Sequence, residues 1–213
     1  MYNPPIFKNR DEAGRKLSAE LERLELRDAV VLAIPAGGVT VGKVVAETLD
    51  APLDLIVVRK IKIPWNPEAG FGAVAPDGNV ILNPEITPTL GLTDEEIERL
   101  AQETLEEVKR REGLFRGDRP EPNLKDKTVV LVDDGLATGY KMLAAARSVR
   151  KKNPKKVLVA VPTASGGAVK LLEPEVDQLI SLYIHPSGEL FAVASSYKEW
   201  HDLTDEEVLA CLK

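Results

Sequence analysis

The residues Val129–Val132 form an uninterrupted apolar run that ends at two adjacent carboxylates, Asp133 and Asp134. A glycine-bounded segment, Gly135–Gly139, follows, and Tyr140–Arg150 then has the composition of a helix. Such an apolar run predicts a strand that is buried on both faces, as in parallel sheets covered by helices. In open sheets of this kind, ligands bind at the carboxyl ends of the strands, so we expect the acids and the loop at a binding site.

The residues of this segment suit a ligand that carries both hydroxyl groups and a phosphate. Backbone N–H groups of a glycine-bounded turn at a helix start bind phosphate oxygens, and the hydroxyl of Thr138 adds one more donor. Asp133 and Asp134 repel an anion, but they accept hydrogen bonds from neutral hydroxyls or help to hold a cation. The pattern favours a sugar phosphate over the alternative, an ordinary strand-to-helix turn without a ligand.

The sequence Val129–Gly139 resembles the phosphoribosyl pyrophosphate (PRPP) motif of type I phosphoribosyltransferases: an apolar strand, an acidic pair and Gly-x-Ala-Thr-Gly. The resemblance implies that Asp133 and Asp134 are catalytic residues that contact the ribose hydroxyls, and it leaves open how they divide that role. It also implies a loop that binds the 5′-phosphate of PRPP: Gly135, Leu136, Ala137, Thr138 and Gly139. The implied cofactor is Mg²⁺, held chiefly by PRPP oxygens, with a contact to Asp133 or Asp134 left open.

A second strand, loop and helix precede this motif. Val30–Ile34 is fully apolar, Gly37 and Gly38 allow a sharp turn, and Thr40–Leu49 reads as a helix. By the same resemblance, this loop binds the pyrophosphate of PRPP through Ala36, Gly37 and Gly38, with a non-proline cis peptide bond that helps to point its N–H groups inward. Ala36 stands where similar chains often carry a basic residue.

The next predicted strand, Leu53–Val58, leads into Arg59 and Lys60 and then into Ile61–Val74, which we expect to be the least regular part of the chain. Long irregular connections inside compact domains are usually functional or mobile. The resemblance implies a flexible loop here that closes over PRPP, with Arg59 binding pyrophosphate and Lys60 acting as a catalytic residue. The alternative for either residue is a solvated basic strand end.

Turn and cap signals predict several other elements. Asp77–Asn79 is typical of a turn, and with Phe71–Val74 before it and Val80–Leu82 after it predicts a short hairpin. Thr93 and Thr204 each begin a capping box, in which a threonine hydroxyl and a glutamate three residues later satisfy exposed N–H groups. The helix that follows Thr93 is expected to end near Arg111.

The C-terminal part contains two further apolar runs that predict strands, Val157–Val161 and Leu179–Ile184, and then His185, which we expect in a turn. Three aromatic residues are concentrated after it: Phe191, Tyr197 and Trp200. They form either a hood over the acceptor base or the packing of a C-terminal cap, and both interpretations stay open.

Strands that alternate with helices predict an α/β fold. Combined with the resemblance, the expected architecture is a Rossmann-like three-layer domain with a mainly parallel central sheet, as in type I phosphoribosyltransferases. Residues 1–213 are expected to form one domain. Within it, residues 59–92 are expected to be a flexible loop and hairpin insertion, and residues 185–213 a small C-terminal hood or cap.

Composition disfavours several classes of function. The 213 residues carry a net charge of −6, which disfavours binding to nucleic acid. The single cysteine, Cys211, excludes an intrachain disulfide framework. No apolar run approaches the roughly 20 residues of a membrane span, and Met1–Pro5 lacks the charged and apolar regions of a signal peptide. We therefore expect a cytoplasmic protein without a nucleic-acid or membrane partner.

The function that the resemblance implies is transfer of ribose 5-phosphate from PRPP to a nitrogenous base, with release of pyrophosphate. The implied partners are PRPP and a purine- or pyrimidine-like base, and also a second copy of the chain in a homodimer, for which Trp65 is a candidate contact. The alternative is a non-catalytic regulatory protein that binds PRPP or a nucleotide on the same fold. A third interpretation is a sugar-phosphate hydrolase. No motif identifies the acceptor base.

Overall fold

The computed structural model describes residues 5–188 and 191–212 of the chain. Residues 1–4 lie outside the described residues, so the signal-peptide argument made on Met1–Pro5 has no structural counterpart. Glu189, Leu190 and Lys213, three residues of the expected C-terminal hood, also lie outside them. No helix in the described ranges is long and apolar enough to cross a membrane.

The described residues form eight strands and six α-helices. The strands are β1 (Ala29–Ala33), β2 (Leu53–Leu55), β3 (Arg59–Ile63), β4 (Asn66–Val74), β5 (Val80–Leu82), β6 (Thr128–Val132), β7 (Lys156–Ser165) and β8 (Gln178–His185). The helices are α1 (Arg10–Glu22), α2 (Gly38–Thr48), α3 (Asp94–Arg116), α4 (Tyr140–Arg150), α5 (Gly166–Leu172) and α6 (Asp205–Cys211).

Five strands form the central sheet in the order β2-β1-β6-β7-β8, and every neighbouring pair is parallel. This confirms the expected α/β fold with a parallel central sheet. Strand β6 lies in the middle of the sheet, so the residues that follow it emerge at the centre of the carboxyl edge.

Successive residues of β6 pack against opposite layers, which explains its uninterrupted apolar sequence. Val129 and Leu131 belong to the hydrophobic core that includes Met142 of α4. Val130 and Val132 belong to the core on the other face, which includes α1 and α2. Because helices cover both faces of a central parallel strand, every position after Thr128 in β6 is apolar. The three layers are helices, sheet and helices.

The pairing of Phe71–Val74 with Val80–Leu82 is confirmed, but the rest of Ile61–Val74 is not irregular, so that prediction was wrong. Strands β3 and β4 pair antiparallel across a tight turn at Pro64 and Trp65, and β4 pairs with β5 to complete a three-stranded sheet. Register shifts in β3 on both sides of Lys62 break the simple alternation of side chains. These irregularities, with the glycines of β4, obscure the strand pattern in the sequence.

Several element boundaries also differ from the prediction. Helix α3 continues through Gly113 to Arg116 rather than ending near Arg111, and Gly117, with φ of 57°, caps it. Strand β2 is only three residues long, whereas β7 extends to Ser165. His185 is the last residue of β8 and is buried, so it does not lie in the predicted turn.

The cap and turn predictions are confirmed. Thr93 and Thr204 both form reciprocal capping boxes, with Glu96 and Glu207 respectively. Gly78 has φ of 79° in the turn between β4 and β5. These signals are local, and for that reason the sequence alone predicts them.

Two glycine-to-alanine substitutions should change stability in opposite directions. A Cβ at Gly42 of α2 would lie 2.8 Å from the Cβ of Ala33 in β1, whereas a Cβ at Gly113 of α3 meets nothing within 4 Å. Gly113→Ala should raise the free energy of unfolding by about 0.5–1 kcal/mol through helix propensity. Gly42→Ala should lower it by about 1 kcal/mol or more through overpacking. Urea unfolding measures both, and an increase in both variants would contradict this account of the α2–sheet contact.

Candidate active site

The two carboxylates lie at the centre of the carboxyl edge of the sheet, at the bottom of a cavity of about 430 Å³. Asp133 and Asp134 directly follow β6 and are 3% and 9% exposed. The Oδ1 atom of Asp133 accepts a hydrogen bond of 2.8 Å from the backbone N–H of Asp134. This bond fixes the side chain of Asp133 and leaves its Oδ2 atom for other partners.

The loop between β1 and α2 passes so close to the acids that only glycine fits. A Cβ at Gly37 would lie 1.8 Å from Oδ2 of Asp134, and a Cβ at Gly38 would lie 2.9 Å from the Cα of Asp133. The peptide bond between Pro35 and Ala36 is cis, as the resemblance implied for this loop. Close backbone approach of this kind, at the N-terminus of α2, presents N–H groups rather than side chains to a ligand.

Strand β7 holds the loop Gly135–Gly139 in place above the sheet. The N–H of Leu136 donates to the carbonyl of Thr163 at 2.9 Å, and the carbonyl of Leu136 accepts from the N–H of Ser165 at 2.8 Å. The hydroxyl of Ser165 donates to the carbonyl of Ala137 at 2.6 Å. Gly139, with φ of 82°, then begins α4. The loop is therefore an ordered cradle at the N-terminus of an 11-residue helix, which suits a phosphate.

Each acid forms an ion pair with a cation that the sequence analysis did not single out. Arg10, the first residue of α1, donates from Nε to Oδ2 of Asp134 at 2.9 Å, and both side chains are buried. Lys141, in the first turn of α4, donates from Nζ to Oδ2 of Asp133 at 3.1 Å. The helix dipole disfavours a cation in the first turn of a helix. A lysine at position 141, directly after the motif, was therefore a sequence signal that a negatively charged partner lies nearby. Arg10 is distant in sequence, and no such signal marks it.

Arg10 is held by three further contacts. Its Nη1 atom donates to the backbone carbonyl of His201 at 2.9 Å. Its guanidinium lies 3.9 Å from the centre of the Trp200 ring and 5.9 Å from that of Tyr197. The Tyr197 hydroxyl in turn donates to the backbone carbonyl of Asp134 at 2.6 Å. The C-terminal segment is thereby fastened to the acidic pair through Arg10.

The surroundings of Asp134 change its acidity. Burial, with the adjacent charge of Asp133, raises the pKa of Asp134 to about 7, although Arg10 and Lys141 act in the opposite direction. Burial and the nearby Asp134 raise the pKa of Tyr197, which keeps its hydroxyl protonated as a donor. Asp134 therefore holds its proton more strongly than an exposed aspartate does.

The predicted basic residues Arg59 and Lys60 lie on β3 but in different places relative to the cavity. Arg59 lines the cavity, together with Arg111 of α3. Lys60 lies outside it, in a neighbouring groove between β3 and α3 that Glu103 also lines. There Lys60 donates to the backbone carbonyl of Glu68. Arg59 lines this groove as well, so the two residues share the groove, but only Arg59 also reaches the cavity.

The three C-terminal aromatic residues do not all have the same role: one lines the cavity, as a hood residue would, and the others pack within the C-terminal cap. Trp200 lines the cavity, with Val193, Asp202 and Leu203 from the same segment. Tyr197 is buried against Phe7, with ring centres 5.7 Å apart. The third aromatic, Phe191, stacks on the ring of His185, and the Nε2 atom of that histidine is 3.0 Å from the hydroxyl of Thr163. The segment is therefore a cavity wall at Trp200 and a packing element elsewhere.

The cavity brings together most of the residues that the sequence analysis selected: Ala36, Gly37, Arg59, Asp133, Asp134, Gly135, Leu136, Ala137, Thr138 and Gly139. Gly38 packs beneath the site against the backbone of Asp133, and Lys60 lies outside it. The structure adds Arg10, Arg111 and Lys141, and it places Trp200, one of the three C-terminal aromatic residues, in the same wall.

The cavity offers Mg²⁺ the oxygen ligands that this ion prefers, in the carboxylates of Asp133 and Asp134. In the described part of the chain, no three His, Cys, Asp or Glu side chains are grouped so that they could hold a metal ion. Mg²⁺ does not require such a cage, since it commonly binds one or two carboxylates together with waters and substrate phosphates. Two carboxylates at the bottom of a cavity with a phosphate cradle fit an ion that arrives with its substrate.

Asp134→Asn should remove a pH-dependent part of the stability. The folded pKa of Asp134, about 7, lies above the value of about 3.9 expected when unfolded. Between these two pKa values, Asp134 is protonated in the folded chain and ionised in the unfolded chain. The stabilisation that the bound proton gives the folded chain is therefore complete below about pH 4 and is lost as the pH rises through 7. The free energy of unfolding of the unmodified chain should therefore fall relative to that of Asp134→Asn between about pH 5 and pH 8. Parallel urea-unfolding curves would contradict the raised pKa.

Comparison with known proteins agrees with the geometry of the site. The sequence profile of the phosphoribosyl transferase domain matches residues 6–177. A protein from two strains of Mycobacterium tuberculosis, CDC 1551 and H37Rv, is 36% identical over 207 residues and is provisionally assigned as a phosphoribosyl transferase. The match covers 97% of this chain but only 46% of those relatives, so the chain spans about half of their length.

Solved structures show the same architecture. TT1426 from Thermus thermophilus is 38% identical, with a TM-score of 0.78 and 97% of each chain covered. AQ2163 from Aquifex aeolicus is 16% identical, with a TM-score of 0.54 over 83% of this chain and 74% of its own, and this likeness shows the fold alone. The family profile spans the acidic pair, both glycine loops and Arg59. The chain is therefore a member of the phosphoribosyl transferase family.

Proposed function

We propose that the chain transfers the 5-phosphoribosyl group of PRPP to a nitrogenous base and releases pyrophosphate. The observation that carries this proposal is the juxtaposition, in one cavity, of a buried acidic pair, an ordered phosphate cradle and arginine side chains. A ligand that matches all three has a neutral diol, one phosphate and a second anionic group. PRPP has this combination, and a free nucleobase does not.

The residues of the cavity bind and orient this substrate. The loop Gly135–Gly139 receives the 5′-phosphate through its N–H groups and the Thr138 hydroxyl. Asp133 and Asp134 accept hydrogen bonds from the ribose hydroxyls. The loop at Ala36 and Gly37 receives the pyrophosphate through backbone N–H groups, since neither side chain carries a charge. Positioning and preorganised dipoles of this kind supply most of the catalysis in reactions that form no covalent enzyme intermediate.

The bond that breaks joins C1 of the ribose to pyrophosphate, which leaves with the bonding electron pair. The bond that forms joins C1 to a nitrogen of the base, whose proton is released to solvent. Positive charge develops on the ribose as the bond breaks. The carboxylates of Asp133 and Asp134 stabilise that charge, and Arg59 stabilises the leaving pyrophosphate. Exclusion of water by the cavity walls favours transfer to the base over hydrolysis.

Mg²⁺ fits this site as an ion bound to the substrate. When it is present, it neutralises part of the pyrophosphate charge, with Asp133 or Asp134 as the protein carboxylate. Arg10 holds Asp134 and Lys141 holds Asp133 in the cavity, so the two carboxylates need no metal ion to stay in position.

A second candidate function is a regulatory protein that binds PRPP or a nucleotide without turnover. One observation favours it: Asp134 and Asp133 are each already bonded to a cation, which competes with the ribose hydroxyls. One assay distinguishes the two candidate functions: the protein is mixed with PRPP and each of a panel of bases, and the pyrophosphate released is measured. Binding without pyrophosphate release would favour the regulator, and release of ribose 5-phosphate without a base would indicate a hydrolase.

Replacing both acids by their amides should abolish PRPP binding in isothermal titration. The double variant Asp133→Asn with Asp134→Asn removes the carboxylates that accept hydrogen bonds from the diol. Asp118 is exposed, so Asp118→Asn is the control for the loss of a carboxylate elsewhere on the chain. Because this change also leaves Arg10 without its buried partner, Thr138→Val provides a second variant with little risk to the fold. It should weaken PRPP binding about tenfold, as loss of a hydrogen bond to a charged group does. Unchanged PRPP affinity in both folded variants would rule out the assigned site.

Lys60→Ala should slow pyrophosphate release by at least about tenfold, the effect of losing one electrostatic donor in a transition state. PRPP affinity should change little, because Lys60 lies outside the cavity and would meet the ligand only if the β3–β5 sheet moves over it. Lys62→Ala, an exposed lysine on the same strand, is the matched control. Equal rates in the two variants would remove Lys60 from the catalytic residues.

A further inference from the structure

Arg59 is a half-buried cation that has no ionic partner in the described part of the chain. Its guanidinium makes no hydrogen bond or ion pair there, although it lines the cavity. Burial, and then the charge of Arg111, lower the pKa of Arg59, although Glu107 and Asp205 act in the opposite direction. Charged groups that lose hydration normally gain a partner of opposite sign. A ligand in the cavity is the natural source of that partner.

Arg111 places a second guanidinium on the wall of the same cavity. Its Nη2 atom donates to Oδ1 of Asp205 at 2.6 Å, and its side chain is 14% exposed. The Phe115 ring lies 5.0 Å from the guanidinium carbon and restricts its position. The Nε and Nη1 atoms of Arg111 donate to no residue that the structure describes. Two donors of a held guanidinium are therefore available to a ligand.

The acidic residues near this pair are already occupied. Glu107 accepts two hydrogen bonds from Arg110, at 2.8 and 2.9 Å. Asp205 is bonded to Arg111 itself. Both acids also act on the charge of Arg59, but each is hydrogen-bonded to another arginine. The two acids and the three arginines at positions 59, 110 and 111 together keep a net positive charge, which suits an anion.

We propose that Arg111, which belongs to none of the sequence motifs, binds the pyrophosphate end of PRPP together with Arg59. The pair thereby selects a diphosphate over a monophosphate. This inference rests on the proposed function, because it takes PRPP as the substrate. Two planar guanidinium groups can each make paired N–H···O bonds to different phosphates of a diphosphate. A single phosphate instead suits the loop at the start of α4.

The structure also allows a purely structural role for Arg111, in which its bond to Asp205 anchors α6 against α3. That role explains the Arg111–Asp205 bond, but it does not explain why Arg59 lies nearby without a counter-ion. The two roles differ in what Asp205 does. If Arg111 only anchors α6, removing the charge of Asp205 should have the same effect as removing Arg111. If Arg111 binds the ligand, it should not.

The test is isothermal titration of the full chain in Mg²⁺ buffer with inorganic pyrophosphate and, separately, with ribose 5-phosphate. Arg111→Gln should weaken pyrophosphate binding about 10- to 100-fold, the effect of losing a charge-assisted hydrogen bond. The matched control Arg110→Gln removes the same charge from an exposed neighbour and should change it by less than about threefold, as surface charges do. Asp205→Asn should leave pyrophosphate binding unchanged or tighter. Ribose 5-phosphate affinity should be the same in all variants.

Three results would overturn the inference: no pyrophosphate binding by the unmodified chain, equal effects of Arg111→Gln and Arg110→Gln, or a loss in Asp205→Asn as large as that in Arg111→Gln. Circular dichroism and thermal unfolding identify any variant that has lost its fold, and Arg111→Lys, which keeps the charge but not the planar donor set, then replaces Arg111→Gln. A failure of the proposed transferase function can be distinguished from a failure of the diphosphate site. If pyrophosphate binds with the expected pattern but no base releases it from PRPP, the diphosphate site stands and the transferase function does not.

Discussion

The burial of two adjacent carboxylates at the end of a central strand is the constraint on which the rest of the site depends. Ionised groups removed from water are strongly destabilising unless they are paired and hydrogen-bonded. Asp134 is therefore paired with Arg10 of α1 and Asp133 with Lys141 of α4. Since α1 and α4 cover opposite faces of the sheet, the acidic pair ties both helical layers to the carboxyl edge.

The same constraint reaches the C-terminal segment. Arg10 lies over the Trp200 ring, and the Tyr197 hydroxyl bonds the backbone carbonyl of Asp134. A second polar cluster, buried beneath, joins Thr163 of β7 to His185 and to the hydroxyl of Ser196. Thr163 also holds the phosphate loop through the N–H of Leu136. The wall of the cavity and its phosphate cradle are thus parts of one hydrogen-bonded structure, and we expect them to move together.

The fold and half of the site could be predicted from local patterns. The apolar run before Asp133 predicts a central parallel strand, because only a strand covered on both faces lacks polar positions. Gly37 stands where a Cβ would collide with Asp134, so a glycine there follows from the close approach of two loops. The sequence pattern did not reveal the β3–β4 hairpin, because register shifts in β3 break the alternation on which strand prediction relies.

The sequence by itself determined the α/β class, the parallel sheet, the capped helices and the loop that follows the acidic pair, since each is encoded by neighbouring residues. The tertiary structure alone decided which cations complete the site. Arg10 and Arg111 lie 124 and 23 residues from Asp134, and neither belongs to a motif. Only packing of α1 and α3 against the sheet brings them into the cavity. It also decides that Arg59 reaches the cavity, whereas Lys60 lines only the neighbouring groove.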